Sequence, residues 1–145
     1  MIKYVYWNTG QIFSSGVNPP TAYETYNKEI TTQFDNKKKI GIMYISDYVF
    51  AAQNADHKTE PISNYNTDAI TDSNWLYTEG NEWLLNVAVS KEFKVNYIDY
   101  DGSVNNAAFT TAQPKSVRPV VYLDSSVYIV SGDGTELDPY QIAMK

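Results

Sequence analysis

The sequence predicts an α+β domain in which short helices pack on a twisted, mainly antiparallel sheet. Three observations lead to this fold class. The last thirty residues contain two β-branched and aromatic runs, Val117–Leu123 and Val127–Val130, which are typical of strands. The glycines of 132–134 supply the positive φ angles of a tight turn before a third strand. Near the start, Thr21 and Glu24 have the spacing of a capping box, which indicates a helix.

Composition limits the classes of function. A chain of 145 residues is long enough to bury about two thirds of its unfolded surface in one core, so we expect a single domain spanning 1–145. The absence of cysteine excludes disulfides and thiolate metal sites, but it does not fix the compartment. A net charge of -6 argues against nucleic acid, and Lys37–Lys39 is interpreted as the polar edge of the next strand. No apolar run approaches the ~20 residues of a membrane span, so attachment to a membrane would need a segment absent from this chain.

The first half of the chain predicts two strands and two helices. Ile2–Trp7 alternates in hydrophobicity and is expected to form a strand. Tyr23, Tyr26, Ile30 and Phe34 recur at helical spacing, which gives a helix over about 21–35. The apolar run 40–45 is of strand length, and a short helix is expected over 46–52.

The second half predicts a loop and then a hairpin. Gln53–Ser73 is polar and lacks periodicity, so we expect a long surface loop. Two tryptophans flank the turn at 79–81; Trp83 is expected to close the core, whereas Trp75 could equally pack in the core or stack on a ligand. A β-hairpin is expected from residue 93 around Asp101-Gly102, followed by a polar loop over 105–115.

Several short motifs occur together in the second two thirds of the chain. They are the run 39–48 ending in Ser-Asp-Tyr, Asn-Trp-Leu-Tyr at 74–77, Glu82-Trp83, Asp101-Gly102, Val-Arg-Pro-Val-Val-Tyr-Leu at 117–123, Gly-Asp-Gly-Thr at 132–135, and Asp-Pro-Tyr at 138–140. With them the chain resembles bacterial surface and pseudopilin-like proteins that carry a C-type-lectin-like domain, similar to the sulfatase-modifying-factor fold. The resemblance implies an extracellular or cell-surface location, and a domain that forms the exported C-terminal part of a longer protein. It also implies that the terminal strands, Ile2–Trp7 and Tyr140–Met144, pair with each other.

The side chains that could bind metal or catalyse a reaction give little support to either role. Calcium-dependent lectins use Glu-Pro-Asn or Gln-Pro-Asp, and neither tripeptide occurs. Asp99 with Asp101, and Asp133 with Glu136 and Asp138, coincide with predicted turns, where aspartate bonds the local backbone. With no cysteine and one histidine, the oxidative chemistry of the sulfatase-modifying relatives cannot be carried over. We therefore expect no metal, no cofactor and no catalytic residue.

Binding is the function that these observations favour. The expected ligand is a glycan or a protein on a surface, contacted by a face rich in tyrosine and asparagine. The candidate ligand-binding residues are Tyr65, Trp75, Tyr77, Asn96, Tyr97, Tyr100, Asn105 and Asn106. One alternative is a structural subunit that packs against neighbouring pilus-like subunits, and a less favoured one is a hydrolase using a carboxylate pair, such as Asp99 with Asp101 or Glu79 with Glu82.

Four further residues are assigned structural roles. Arg118 lies in an apolar run next to a proline, so its guanidinium is expected to reach a fixed acceptor. We predict that this acceptor is Asp47, at the start of the second helix. Trp83 is expected in the core and Asp133 in the glycine turn.

Overall fold

The computed structural model describes residues 2–7, 18–31, 37–88, 94–108, 114–135 and 137–145. These residues form an α+β structure with few helices and antiparallel pairing between all the named strands. In chain order the elements are β1 (Val5–Tyr6), α1 (Ala22–Thr31), β2 (Lys37–Lys38), β3 (Ile40–Ile42), α2 (Ile45–Phe50), α3 (Asp68–Thr71), β4 (Glu82–Val87), β5 (Lys94–Ile98), β6 (Val104–Ala108), β7 (Pro119–Val121), β8 (Val127–Ser131) and β9 (Gln141–Met144). The predicted fold class is thereby confirmed at the level of α+β.

The strands form several small sheets within the described residues. β4, β5 and β6 make a three-stranded meander, while β1 pairs with β2, β3 with β7, and β8 with β9. The hairpin predicted around Asp101-Gly102 is the β5–β6 connection, and Gly102 has a φ of 89°. The strand after this turn runs to Ala108, so Asn105 and Asn106 belong to β6 and not to the predicted loop.

Both predicted helices are present. Thr21 and Glu24 form the expected reciprocal cap of α1: the Thr21 backbone N–H donates to Glu24 Oε2 (2.8 Å), and the Glu24 backbone N–H donates to Thr21 Oγ1 (3.3 Å). The last predicted residues of this helix, 32–35, lie outside the described residues. α2 begins one residue earlier than predicted, and Asp47 Oδ2 accepts a hydrogen bond from the Tyr44 backbone N–H (3.0 Å), which caps its first turn.

The core lies where α2 meets the three-stranded meander. Tyr48 and Val49 of α2, Leu84 of β4, Ile98 of β5 and Val104 of β6 are buried in it. Burial of these apolar side chains is the main source of stability.

The prediction that 53–73 is a surface loop is wrong. This segment contains a 3₁₀ turn at Ile62–Asn64 and the helix α3, and it contributes Ile62, Tyr65 and Ile70 to the core. Three apolar side chains separated by polar residues give no regular period, which is why the sequence pattern missed them.

The expected pairing of the terminal strands is wrong. β1 pairs with β2, Ile2 bridges Leu123, and β9 pairs with β8. The start of the chain bonds the segment after β7 instead, where the Lys3 backbone N–H donates to the Tyr122 carbonyl (2.9 Å) beside the Ile2–Leu123 bridge. The predicted glycine turn is present, with positive φ at Gly132 and Gly134 (91° and 86°), and it joins β9 to β8.

None of the helices formed by the described residues is long and apolar enough to cross a membrane.

Candidate binding pocket and aromatic surface

A pocket of about 260 Å³ lies between α2, the segment 74–77 and β7. Its walls combine apolar and aromatic side chains (Met43, Leu76, Val120, Trp75 and Tyr122) with two charged ones, Asp47 and Arg118. Trp75 is 75% exposed although it borders this pocket. A large ring left in water beside a concave surface is a typical feature of a contact site.

Arg118 has a fixed position in the pocket wall. Its Nη2 donates to Glu82 Oε2 (2.8 Å) and to the backbone carbonyl of Leu76 (3.1 Å). The prediction that Arg118 reaches a fixed acceptor is confirmed, but the prediction that this acceptor is Asp47 is wrong. Ser116 forms a parallel bridge with Glu82, and this pairing brings Arg118 next to β4. Asp47 nevertheless lines the same pocket.

Two carboxyl groups, Glu82 beside Arg118 and Asp47 in the pocket wall, have raised pKa values. Burial raises the pKa of Glu82, and the neighbouring guanidinium of Arg118 opposes that rise. Loss of water contact raises the pKa of Asp47, and the hydrogen bond from Tyr44 opposes it. The pocket lining contains one carboxyl group, that of Asp47, and one guanidinium, that of Arg118, which is already paired with Glu82.

A buried network of polar side chains bonds the first residues of α2. Glu29 is 4% exposed, and its Oε1 accepts hydrogen bonds from the Ser46 backbone N–H (3.2 Å) and from Asn86 Nδ2 (3.0 Å). Asn86 Oδ1 in turn accepts from the Ile45 backbone N–H (2.8 Å). Burial raises the pKa of Glu29 to about 7, against the hydrogen bonds that lower it.

Sequence reasoning missed this network, although two signals could have found it. Glu29 lies four residues after Thr25 and seven after Ala22, which is the spacing of the buried stripe of α1. Asn86 alternates with Leu84 on the buried face of β4.

Three predicted ligand-binding residues lie on two connected segments. Trp75 and Tyr100 are 75% and 68% exposed, and Tyr77 is half-buried between solvent and core. The Tyr77 hydroxyl donates to the backbone carbonyl of Tyr100 (2.7 Å), joining the pocket segment 74–77 to the β5–β6 turn. On the other side of that turn, the Tyr48 hydroxyl donates to the carbonyl of Gly102 (2.9 Å).

Three side chains lie side by side on the outer face of the meander. Neighbouring positions on β4, β5 and β6 hold Trp83, Tyr97 and Asn105. The Trp83 and Tyr97 rings meet edge to face at 5.9 Å, and Lys115 Nζ lies 3.9 Å from the Tyr97 ring centroid. The prediction that Trp83 closes the core is wrong, because it alternates with the buried Glu82 and Leu84 and so points to the half-buried face.

Two predicted ligand-binding residues belong to the interior. Tyr65 is fully buried, with its hydroxyl 2.9 Å from His57 Nδ1. Asn96 is fully buried and donates from Nδ2 to the Asn86 carbonyl (3.1 Å). Asn106 pairs with Asn96 and is half-buried on β6. The first two assignments are wrong, because residue type alone does not distinguish a buried hydrogen-bonding group from an exposed one.

The turn aspartates have the structural roles expected for them. Asp101 Oδ1 accepts from the Ser103 backbone N–H (2.9 Å), and Asp133 Oδ1 accepts from the Thr135 backbone N–H (2.9 Å). Asp99 Oδ1 accepts from the Tyr100 backbone N–H (2.8 Å). Across the described ranges, no group of three or more potential metal-ligating side chains is found.

Comparison with protein-family models, curated proteins and solved structures gives no match for this chain. The resemblance to lectin-like surface proteins stays a prediction.

Proposed function

We propose that this protein is a non-catalytic binding module of a bacterial surface or pilus-like protein, with a C-type-lectin-like fold, that contacts a glycan outside the cell. The observation on which the proposal rests is the exposed Trp75 ring at the edge of the pocket. Tyr100, joined to the same segment through Tyr77, extends the contact surface.

The charges in the pocket favour an uncharged polar ligand. An anion bound there would lie near the carboxylate of Asp47, and a cation would lie near the guanidinium of Arg118. A sugar avoids both repulsions, because its hydroxyls donate to a carboxylate and accept from a guanidinium.

The shape and the aromatic content support the same ligand class. Trp75 and Tyr122 offer ring faces on which the apolar C–H face of a sugar can pack. Pockets for drug-sized ligands span about 300–1,000 Å³. A volume of about 260 Å³ is therefore suited to one ring-sized group, such as a single sugar residue of a longer glycan.

A glycan array followed by calorimetry tests the proposal. With a glycan found on the array, Trp75→Ala should weaken binding at least about tenfold, because it removes the stacking surface. Asp47→Asn should also weaken binding while keeping the cap of α2, since its amide oxygen can still accept from Tyr44. Tyr4→Ala is the matched control, because Tyr4 is 64% exposed and does not line the pocket. Equal affinities for the Trp75 and Tyr4 variants would refute the pocket as the site, and a signal only on a protein array would replace the glycan by a protein ligand.

A further inference from the structure

The C-terminal hairpin exposes an apolar face. In the β8–β9 register, Val127 lies opposite Met144 and Ile129 opposite Ile142. Residues directly opposite in an antiparallel pair project from the same face of a sheet. We call these four side chains the aliphatic face. Three of them are strongly exposed: Ile129 at 58%, Ile142 at 54% and Met144 at 61%.

Exposed apolar side chains in this number favour contact with another apolar surface. Exposed apolar surface gains about 25 cal/mol for each Å² removed from water. A hairpin of two strands is marginally stable by itself, and β8 and β9 pair only with each other among the strands of the described residues. A second layer of apolar side chains would stabilise it.

We propose that the aliphatic face docks on the same face of a second copy of this chain, with the two hairpins antiparallel across a two-fold axis. The strands β8 and β9 contain no charged residue, whereas the whole chain has a net charge of -6. Two copies repel each other through most of their surface but can approach at this uncharged face. The contact is separate from the pocket proposed for the glycan.

The charges at the two ends of the hairpin favour the antiparallel orientation. Lys145 lies at the open end, where its backbone N–H donates to the Ser126 carbonyl (3.0 Å). Asp138 lies at the turn end, where its carbonyl accepts from the Asp133 backbone N–H (3.1 Å). A two-fold axis that lies between the two faces, perpendicular to the strands, brings each Lys145 to the Asp138 of the other copy, whereas a parallel arrangement would set Lys145 against Lys145 and Asp138 against Asp138.

The face is small, so the dimer is weak and depends on concentration. Sedimentation velocity of the wild-type chain over a wide concentration range should show a monomer–dimer equilibrium. Ile129→Lys places a charge in the aliphatic face of both copies and should raise the dissociation constant at least about tenfold. Tyr128→Lys is the matched control, because Tyr128 is the preceding residue, pairs with Ala143 and projects from the opposite face. It should leave the dimer unchanged.

The orientation has its own test. Lys145→Glu should weaken the dimer, and adding Asp138→Lys to it should restore the affinity, because the exchanged charges again meet as opposites. All the substituted positions are exposed, so each variant should keep the wild-type unfolding midpoint at concentrations where the wild type is monomeric, which separates loss of the interface from loss of the fold. A wild-type chain that stays monomeric, or equal dissociation constants for the Ile129 and Tyr128 variants, would overturn the proposal. A monomer that floats with lipid vesicles through Ile129 would assign the face to a lipid surface instead.

Discussion

Replacing Glu29 by glutamine should change the pH dependence of stability. The Glu29 carboxyl is buried, and its pKa rises from 4.5 to about 7. A raised pKa means that the folded protein binds a proton that the unfolded chain releases between these two values. The group therefore stabilises the fold fully below pH 4.5, and this contribution is lost as the pH rises through about 7.

The magnitude follows from the two pKa values. A rise from 4.5 to about 7 corresponds to about 3 kcal/mol of unfolding free energy at high pH. Glutamine keeps the oxygen that accepts from Ser46 and Asn86 but cannot ionise. The Glu29→Gln variant should therefore match the wild type near pH 4.5 and exceed its stability by up to about 3 kcal/mol near pH 8.

Urea unfolding at a series of pH values measures this difference. The exposed Glu79→Gln provides a control for general charge effects. A stability difference between the Glu29 variant and the wild type that does not change with pH would refute the reasoning, since it would mean that Glu29 ionises alike in both states.

Three other predictions can be checked by unfolding experiments. Arg118→Ala should destabilise the fold by about 3 kcal/mol, because it leaves the buried Glu82 carboxyl unpaired. The control Tyr100→Ala should cost less than about 0.5 kcal/mol. Equal small effects of the two substitutions in chemical denaturation would show that the ion pair contributes little. Gly102→Ala should lower the melting temperature by several degrees, because the backbone φ at this position is 89° and the added Cβ would lie 2.6 Å from Thr71 Cγ2. An unchanged melting temperature would contradict the expected backbone strain. Calcium should leave the melting temperature unchanged relative to EDTA, and a rise of several degrees would reveal a metal site that the turn aspartates were not expected to form.

Local features of the fold could be predicted because neighbouring residues determine them. The Thr21–Glu24 cap, the turn at Gly102 and the turn with Gly132 and Gly134 each depend on a few residues whose backbone requirements are visible in the sequence. The strand and helix positions beside these signals were accordingly close to those observed.

Features that depend on distant contacts could not be predicted in the same way. Arg118 pairs with Glu82, 36 residues away, because Ser116 lies beside β4, and no local pattern reports that bridge. Tyr65 and Asn96 have residue types suited to binding but are fully buried. The candidate site was therefore predicted only in part: Trp75 borders the pocket, and Asp47 and Arg118 line it in roles other than the predicted pair.

The two tyrosine hydroxyls that hold the β5–β6 turn affect the cost of binding. Tyr77 and Tyr48 bond the carbonyls of Tyr100 and Gly102, so the backbone on both sides of the exposed turn is fixed in the free protein. Ordering a mobile residue costs about 1–2 kcal/mol of conformational entropy. A ligand that contacts Tyr100 meets a backbone that is already ordered, and the affinity it gains from the ring is not reduced by that entropy.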